Sequence, residues 1–272
     1  MTDKTSIGDR MKRYEDVPRT SLTPRMPMVI RVDGRAFHTY TKRFKRQVES
    51  PWSPYIRDAM TAAAQGLMRE ISGAKLAYVQ SDEISVLVTD YDSLGTQPWF
   101  DKVAQKVCSV SAAITTAEFN QKMLAIELSE QTVTAERPGQ LTFKIDFPQL
   151  ATFDARSFVV PQHDVANYFV WRQRDAEKNS IAMLAQKHFS PKQLHGKNGG
   201  VMQEMLHSEH GINWNDCDVW QKRGWCVTRE TREVPGGMKP TELRTFVEPD
   251  WAIPQFTKDR PYIERLVYLP ED

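Results

Sequence analysis

Met28-Val29-Ile30-Arg31-Val32-Asp33-Gly34-Arg35 and Tyr78-Val79-Gln80-Ser81-Asp82-Glu83 decide how this chain is read. In each, a short apolar run with branched residues leads into an acidic end, which is the pattern of a buried β-strand with a sharp exit. The two acidic ends lie about fifty residues apart. Strands that end this way bring carboxylates to one edge of a sheet, where they can hold divalent metal. Hard cations such as Mg²⁺ take oxygen ligands and share their shells with water and phosphate. Asp33 and Asp82 are therefore candidate bridging ligands for two Mg²⁺ ions, or Mn²⁺, in a site for chemistry on phosphates. The Gly34 carbonyl is a further candidate ligand, because glycine permits close backbone approach. Glu83 either ligates or orients a neighbour. The plainer alternative makes Asp33-Gly34 a turn and Asp82-Glu83 the cap of a hairpin.

Outward from these strands the pattern is regular. Gly8 to Tyr14 reads as a short amphipathic helix, and Pro18, Pro24 and Pro27 punctuate the approach to the first strand. Ser53-Pro54 opens a helix as N-cap and N1. Its apolar stripe is Ile56, Met60, Ala63, Leu67 and Ile71, and Gly73 stops it. Lys75 to Gln80 and Ile84 to Thr89 form a hairpin through Ser81-Asp82-Glu83. A second long helix is expected from near Pro98 to about Leu124, a strand from Phe153 to Val160, and a helix from His163 to Lys187. Residues 135–149 are rich in turn formers. The order β-α-β-β-α-β is that of an α+β, ferredoxin-like polymerase palm. Residues 1–162 are expected to be that core, and 163–272 a helical and irregular extension packed on it, with Trp251 and Tyr262 folding back.

Bulk properties exclude several classes. The 272 residues carry a formal net charge of only +1, so no general basic field marks a nucleic-acid binder. Contacts to RNA must come from local patches. Three cysteines, Cys108, Cys217 and Cys226, are too few for a disulfide framework and suit a reducing cytoplasm. No apolar run approaches the ~20 residues needed to cross a bilayer, and Met1 to Arg13 lacks the apolar region of a signal peptide. His207, His210, Cys217 and Cys226 superficially offer four zinc ligands, but their order is not that of a common finger.

Gly8-Asp9-Arg10-Met11-Lys12-Arg13-Tyr14-Glu15, Arg31-Val32-Asp33-Gly34-Arg35-Ala36-Phe37-His38 and Tyr78-Val79-Gln80-Ser81-Asp82-Glu83 follow one another in order. So do Phe153-Asp154-Ala155-Arg156, then Trp171-Arg172-Gln173 with Asp175 and Asn179. Gly211-Ile212-Asn213-Trp214-Asn215-Asp216 comes last, with Lys222 and Gly224. This succession resembles the motifs of the tRNA(His) guanylyltransferase family over roughly Gly8 to Val227. The resemblance implies a palm enzyme that adds nucleotides to tRNA 5′ ends in the 3′-to-5′ direction. It implies Asp33, Gly34 and Asp82 as holders of two Mg²⁺ ions. ATP or GTP would activate a 5′-monophosphate, and the 3′-hydroxyl of a nucleoside triphosphate would attack it. Family members assemble as tetramers, so a homotetramer is expected.

The resemblance also assigns binding residues. Lys102 and Lys106, four apart on the expected second long helix, would meet triphosphate from one face, with Ser109 and Ser111 nearby. Ser81, Arg35, Phe37 and His38 would border the nucleotide, the last two beneath its base. Arg46, in the basic loop with Lys42, Arg43 and Lys45, would touch phosphate. Arg31 and Arg35 flank the acids, as neutralising charges or as substrate contacts. Arg172, Asp175 and Asn179 would face the reaction or the tRNA. Asn213, Asn215 and Lys222 would hold RNA, or else build a turn.

Three departures matter. Val103 stands where the family commonly has a second arginine, and Arg46-Gln47-Val48-Glu49 replaces a Lys-Pro-Asn-Asp sequence. Glu177-Lys178-Asn179-Ser180 stands where the tRNA(His)-specific members have His-Ile-Asn-Asn. That last change points to the bacterial or phage-type branch and to template-directed repair of tRNA 5′ ends. The alternatives are a tRNA(His)-specific guanylyltransferase, a palm-type nucleotide cyclase and a non-catalytic tRNA-binding module.

Overall fold

A computed structural model describes residues 6–42, 51–130, 134–137, 140–142, 149–235 and 241–268. Helix α1 (Ile7–Asp16) precedes strand β1 (Met28–Gly34), the short helix α2 (Phe37–Thr41) and helix α3 (Pro54–Glu70). The hairpin of β2 (Ala74–Gln80) and β3 (Glu83–Val88) leads to helix α4 (Ala104–Glu130), a small hairpin of β4 (Thr134–Arg137) and β5 (Gln140–Thr142), and strand β6 (Phe153–Val159). Then come α5 (Gln162–His188), α6 (Pro191–Leu194), α7 (Gly199–His210), α8 (Val219–Arg223), β7 (Trp225–Pro235), β8 (Thr241–Asp250) and α9 (Pro261–Glu264).

The main sheet runs β6-β1-β3-β2-β7-β8, and each neighbouring pair is antiparallel. Its first four strands have the ferredoxin-like arrangement. Alternation along β1 explains its two faces. Met28, Ile30 and Val32 join the core under α3 and α4, while Val29 joins a second core on the other face. Arg31 and Asp33 continue that second face, as do Glu83 and Ser85 on β3. Helix α5 lies across it, burying Val165, Tyr168 and Phe169 there.

Helix α3 forms where its caps and stripe require. The Ser53 side chain accepts from the Ile56 amide, Pro54 occupies the first turn, and Met60, Ala63 and Leu67 are fully buried. Gly73 follows with φ +78, and a Cβ there would lie 2.1 Å from the Thr89 carbonyl oxygen. Only glycine fits that return of the chain.

Two expectations need correction. Residues after 162 are not an irregular appendage, because β7 pairs with the free edge of β2 and β8 extends the sheet further. The tail is tied to α5: Gln173 Nε2 donates to the Pro254 carbonyl at 2.9 Å, and the Phe256 amide donates to Gln173 Oε1 at 2.8 Å. Ile253, Phe256, Ile263 and Val267 are buried in the same core as α5.

Lys102, in turn, is not on α4. Phe100, Asp101 and Lys102 form a tight turn with φ near +50, and the helix starts only at Ala104. The Lys102 side chain is 1% exposed. It donates to Asp90 Oδ1 at 2.9 Å and to the carbonyls of Thr23 and Met26. It is therefore a structural cation rather than a phosphate ligand. Lys102→Met leaves the Asp90 carboxylate buried without its cation, which is expected to cost about 3 kcal/mol or more. A denaturant midpoint unchanged from wild type would show that the pair does not hold the fold.

Candidate active site

The acidic edge is assembled by strand register. Asp33 stands opposite Glu83 on β3 and opposite Asp154 on β6. The Gly34 amide donates to the Asp82 carbonyl at 3.1 Å, which closes the end of β1 onto the β2–β3 turn. Two residues beside these acids have left-handed backbone, Ala36 (φ 54) and Ser81 (φ 50). Neither is glycine, and such strain is commonly kept at functional sites. Gly34 has its own reason: a Cβ would meet the Phe37 ring at 2.2 Å.

The three acids are not equivalent. Glu83 is 8% exposed and its carboxylate is gripped at both oxygens by Arg172, at 2.8 and 2.6 Å. Gln80 Nε2 adds a bond at 3.2 Å. Burial opposes the Arg172 charge, but Glu83 more than offsets this, so the guanidinium pKa lies above its usual value. Arg172 also reaches Asp175 at 3.2 Å, and Asn179 donates to Asp175 at 3.4 Å. Of its two sequence readings, Glu83 takes the orienting one. Asp82 has no such cation among the described residues. Burial raises its pKa to about 6, the neighbouring Asp33 and Glu83 charges add to the rise, and hydrogen bonds from Ser81 and its own amide lower it only in part.

A cavity of about 750 Å³ opens over this edge. Of the sequence candidates, Arg31, Asp33, Phe37, His38, Ser81, Asp82, Glu83, Arg172, Asp175, Asn179 and Lys222 line it. Phe37 needs a correction. It is 5% exposed and packs against Tyr40, Phe119 and Phe153, so most of its ring is core rather than a platform for a base.

Arg35, Lys106, Ser109, Asn213 and Asn215 do not line the cavity. Arg35 is exposed, and its amide donates to the Thr152 carbonyl. Lys106 and Ser109 are exposed near the start of α4, on the opposite sheet face from Asp33. Phe119, whose ring packs against that of the cavity residue Phe37, is about 20 Å along the helix from Lys106. Lys106 therefore lies away from this cavity. Asn213 takes the turn-building role: its Oδ1 accepts from the Asn215 amide at 3.1 Å, and Lys222 donates to the Asn215 carbonyl. Arg46, with Arg43 and Lys45, lies outside the described residues. The would-be zinc ligands separate, with Cys226 in the core beneath α5 and Cys217 packed against the cluster of Leu206 and Trp214.

Sequence reasoning missed Trp52, Arg57, Trp220 and Trp225, which also line the cavity. The crowding of Trp214, Trp220 and Trp225 was the available signal.

Residues 8–161 match the family profile Thg1, tRNAHis guanylyltransferase. The chain belongs to this family. A bacterial tRNA(His) guanylyltransferase (Thg1)-like protein in complex with ATP superposes with a TM-score of 0.81 at 45% identity, covering 97% of this chain and 100% of that one. Its GTP complex gives 0.78 at 44%, with the same coverage. The tRNA(His) guanylyltransferase of Schizosaccharomyces pombe is 29% identical over 231 residues, which is 81% of this chain and 79% of the relative. The Saccharomyces cerevisiae enzyme, at 22% identity and a TM-score of 0.62, shares the fold. The protein is thus an α+β nucleotidyltransferase of the Thg1 family, of the bacterial-like branch, acting on tRNA. No helix among the described residues is long and apolar enough to cross a membrane.

Proposed function

We propose that this Thg1-family protein extends tRNA at its 5′ end in the 3′-to-5′ direction, repairing truncated ends against the opposing strand as template. The observation that carries the reading is the pair Asp33 and Asp82, uncompensated by any cation among the described residues, in a cavity that also holds Arg31, Arg172 and Lys222. ATP or GTP activates the 5′-monophosphate, and the 3′-hydroxyl of the incoming nucleoside triphosphate attacks it. The bacterial relatives bound to ATP and to GTP support both nucleotides as substrates.

The donor set fits hard divalent cations. Asp82 is held at a raised pKa by burial and by its negative neighbours, a charge build-up that a cation relieves. Among the described residues no three His, Cys, Asp or Glu side chains converge as ligands. The set is thus Asp33 and Asp82, with the Gly34 carbonyl, substrate phosphate and water completing it. Two Mg²⁺ ions, or Mn²⁺, bound there supply a lowered hydroxyl pKa and neutralise triphosphate charge. Glu83 and Arg172 keep the β2–β3 turn and α5 in register, and Arg31 and Lys222 offer positive charge to phosphate.

The residues that replace His-Ile-Asn-Asn support repair over strict tRNA(His) guanylylation. Glu177 pairs with Arg223 at 3.6 Å, and the Ser180 hydroxyl accepts from Trp214 Nε1 at 2.9 Å. Both tie α5 to the segment around α8 and are engaged within the protein. Assembly as a homotetramer is supported by α1. This ten-residue helix buries nothing in the single chain, while Ile7, Met11 and Tyr14 form an exposed apolar stripe. So short a helix is marginal without packing.

The test uses a tRNA lacking its first nucleotide, labelled at its 5′-monophosphate, with protein, Mg²⁺, ATP and each nucleoside triphosphate in turn. Extension only by the nucleotide complementary to the opposing base is the expected result. Addition of guanosine regardless of that base would assign tRNA(His)-type guanylylation. Cyclic nucleotide made without RNA would assign the cyclase, and no consumption of nucleotide the binding module.

A further inference from the structure

Tyr168 and Arg172 stand four residues apart on α5, so they share one face of the helix. Arg172 holds both oxygens of Glu83 directly, at 2.8 and 2.6 Å. Tyr168 reaches the same carboxylate through an intermediary. Its hydroxyl lies 2.8 Å from Ser85 Oγ, and Ser85 Oγ donates to Glu83 Oε1 at 3.4 Å. Ser85 is on β3, opposite Arg31 of β1 and Tyr78 of β2, and is fully buried.

The direction of these bonds follows from the chemistry of the three groups. A carboxylate paired with a guanidinium is ionised, and an ionised carboxylate only accepts. A serine hydroxyl has one hydrogen. Ser85 gives that hydrogen to Glu83, so in the 2.8 Å contact Tyr168 donates and Ser85 accepts. The phenol suits this part, because burial raises its pKa and keeps the proton in place. Each bond in such a row polarises the next. The Tyr168 ring is fixed as well, by edge-on contacts to Phe158, Phe169 and Trp171 at 5.7, 5.2 and 5.8 Å. Glu83 Oε1 thereby accepts from Gln80, Ser85 and Arg172. The residue before it is Asp82, whose carbonyl accepts from the Gly34 amide. A fixed Glu83 carboxylate therefore restrains the backbone that carries Asp82.

We propose that Tyr168 and Ser85 are positioning residues for nucleotide addition, a row of hydroxyl bonds from α5 to Glu83 that sets the β2–β3 turn and hence Asp82. Neither lines the cavity, so both act through Glu83. The inference rests on the reading of Asp33 and Asp82 as the pair that holds the metal. The plainer role of the row is only to satisfy two buried hydroxyls, and the test separates the two.

The test is a double-mutant cycle in the full chain, with Tyr168→Phe, Ser85→Ala and both together. Three quantities are measured for each protein. They are melting temperature, Mn²⁺ affinity without nucleotide or RNA, and kcat and KM for the nucleotide with a 5′-phosphorylated tRNA lacking its first nucleotide. Ser85→Ala leaves the Tyr168 hydroxyl buried without its acceptor and should melt roughly 3–6 °C lower. The double variant has neither hydroxyl and should return to within about 2 °C of wild type. The rate should not return. In Ser85→Ala kcat is expected to fall about tenfold, with KM within about twofold, and the double variant should lose the same factor. Once Ser85 is gone, Tyr168 has no route to Glu83. Tyr168→Phe alone should lose about threefold. Mn²⁺ affinity should weaken in the same order. Wild-type kcat and Mn²⁺ affinity in Ser85→Ala would overturn the proposal. So would a kcat that recovers with the melting temperature in the double variant, and so would effects of the two substitutions that multiply. Should Ser85→Ala fail to fold, the double variant compared with Tyr168→Phe decides. A wild type that binds Mn²⁺ but adds no nucleotide would sink the reverse-polymerase reading, and the Mn²⁺ affinities would then decide the row alone.

Discussion

Asp82→Asn is expected to lower nucleotide addition about a thousandfold, equivalent to ~4 kcal/mol of barrier, while the ligand-free protein becomes more stable. The two effects share one cause. Asp82 has a folded pKa of about 6 against an ordinary 3.8, chiefly through burial and then through Asp33 and Glu83. The folded state therefore binds this proton more tightly than the unfolded chain does. Stability rises as pH falls from about 6 towards 4, and the penalty is fully present above pH 6. Its size is at most about 3 kcal/mol, reduced by solvent at this half-buried side chain. Asparagine removes the charge and the penalty, so the melting temperature at pH 8 should rise by roughly 2–5 °C. Wild type should also gain stability on adding Mg²⁺ or Mn²⁺ at pH 8, and Asp82→Asn should not. Equal metal-induced shifts in both proteins, with activity retained, would remove Asp82 from the metal site.

Arg172→Ala should act through both stability and rate. The guanidinium holds both oxygens of Glu83 and one of Asp175, with Glu83 almost fully buried. Without it, the Glu83 carboxylate is left uncompensated, and breaking a buried pair in this way costs about 3–5 kcal/mol. Glu83 then takes up a proton or moves, and the β2–β3 turn that presents Asp82 loses its link to α5. The double variant Arg172→Met with Glu83→Gln removes both charges and should recover most of the stability. It should not recover the rate, because the turn and α5 remain unlinked. A double variant with wild-type turnover would reduce the pair to packing.

Much of the acidic edge was legible because its signals are local. The period of two along Arg31-Val32-Asp33, the Ser53-Pro54 cap and the glycine at position 73 each state their conformation within a few residues. The errors came where a distant partner decides. Lys102 and Lys106 share a helical spacing, but Lys102 is drawn out of the helix by Asp90 and by carbonyls near residue 25. Strands β7 and β8 looked irregular because only Trp225, Cys226 and Val227 bury their side chains, while Arg229 to Glu233 are four charged residues and one threonine in the open. The Glu83–Arg172 pair spans 89 residues, and no pattern in either segment names the other.

The tail docked on α5 sets an order of events during synthesis. Asp33 is made first, yet the prop beneath the opposite wall, Ile253 and Phe256, is made some 220 residues later. A growing chain can pair β1, β3 and β6 and set its carboxylates side by side long before α5 is anchored. The tail adds to the packing that seats α5, the helix that carries Arg172, on the sheet. The wall that faces the carboxylates is thus held by a segment far from them in sequence, so damage there reaches the site without touching its acids.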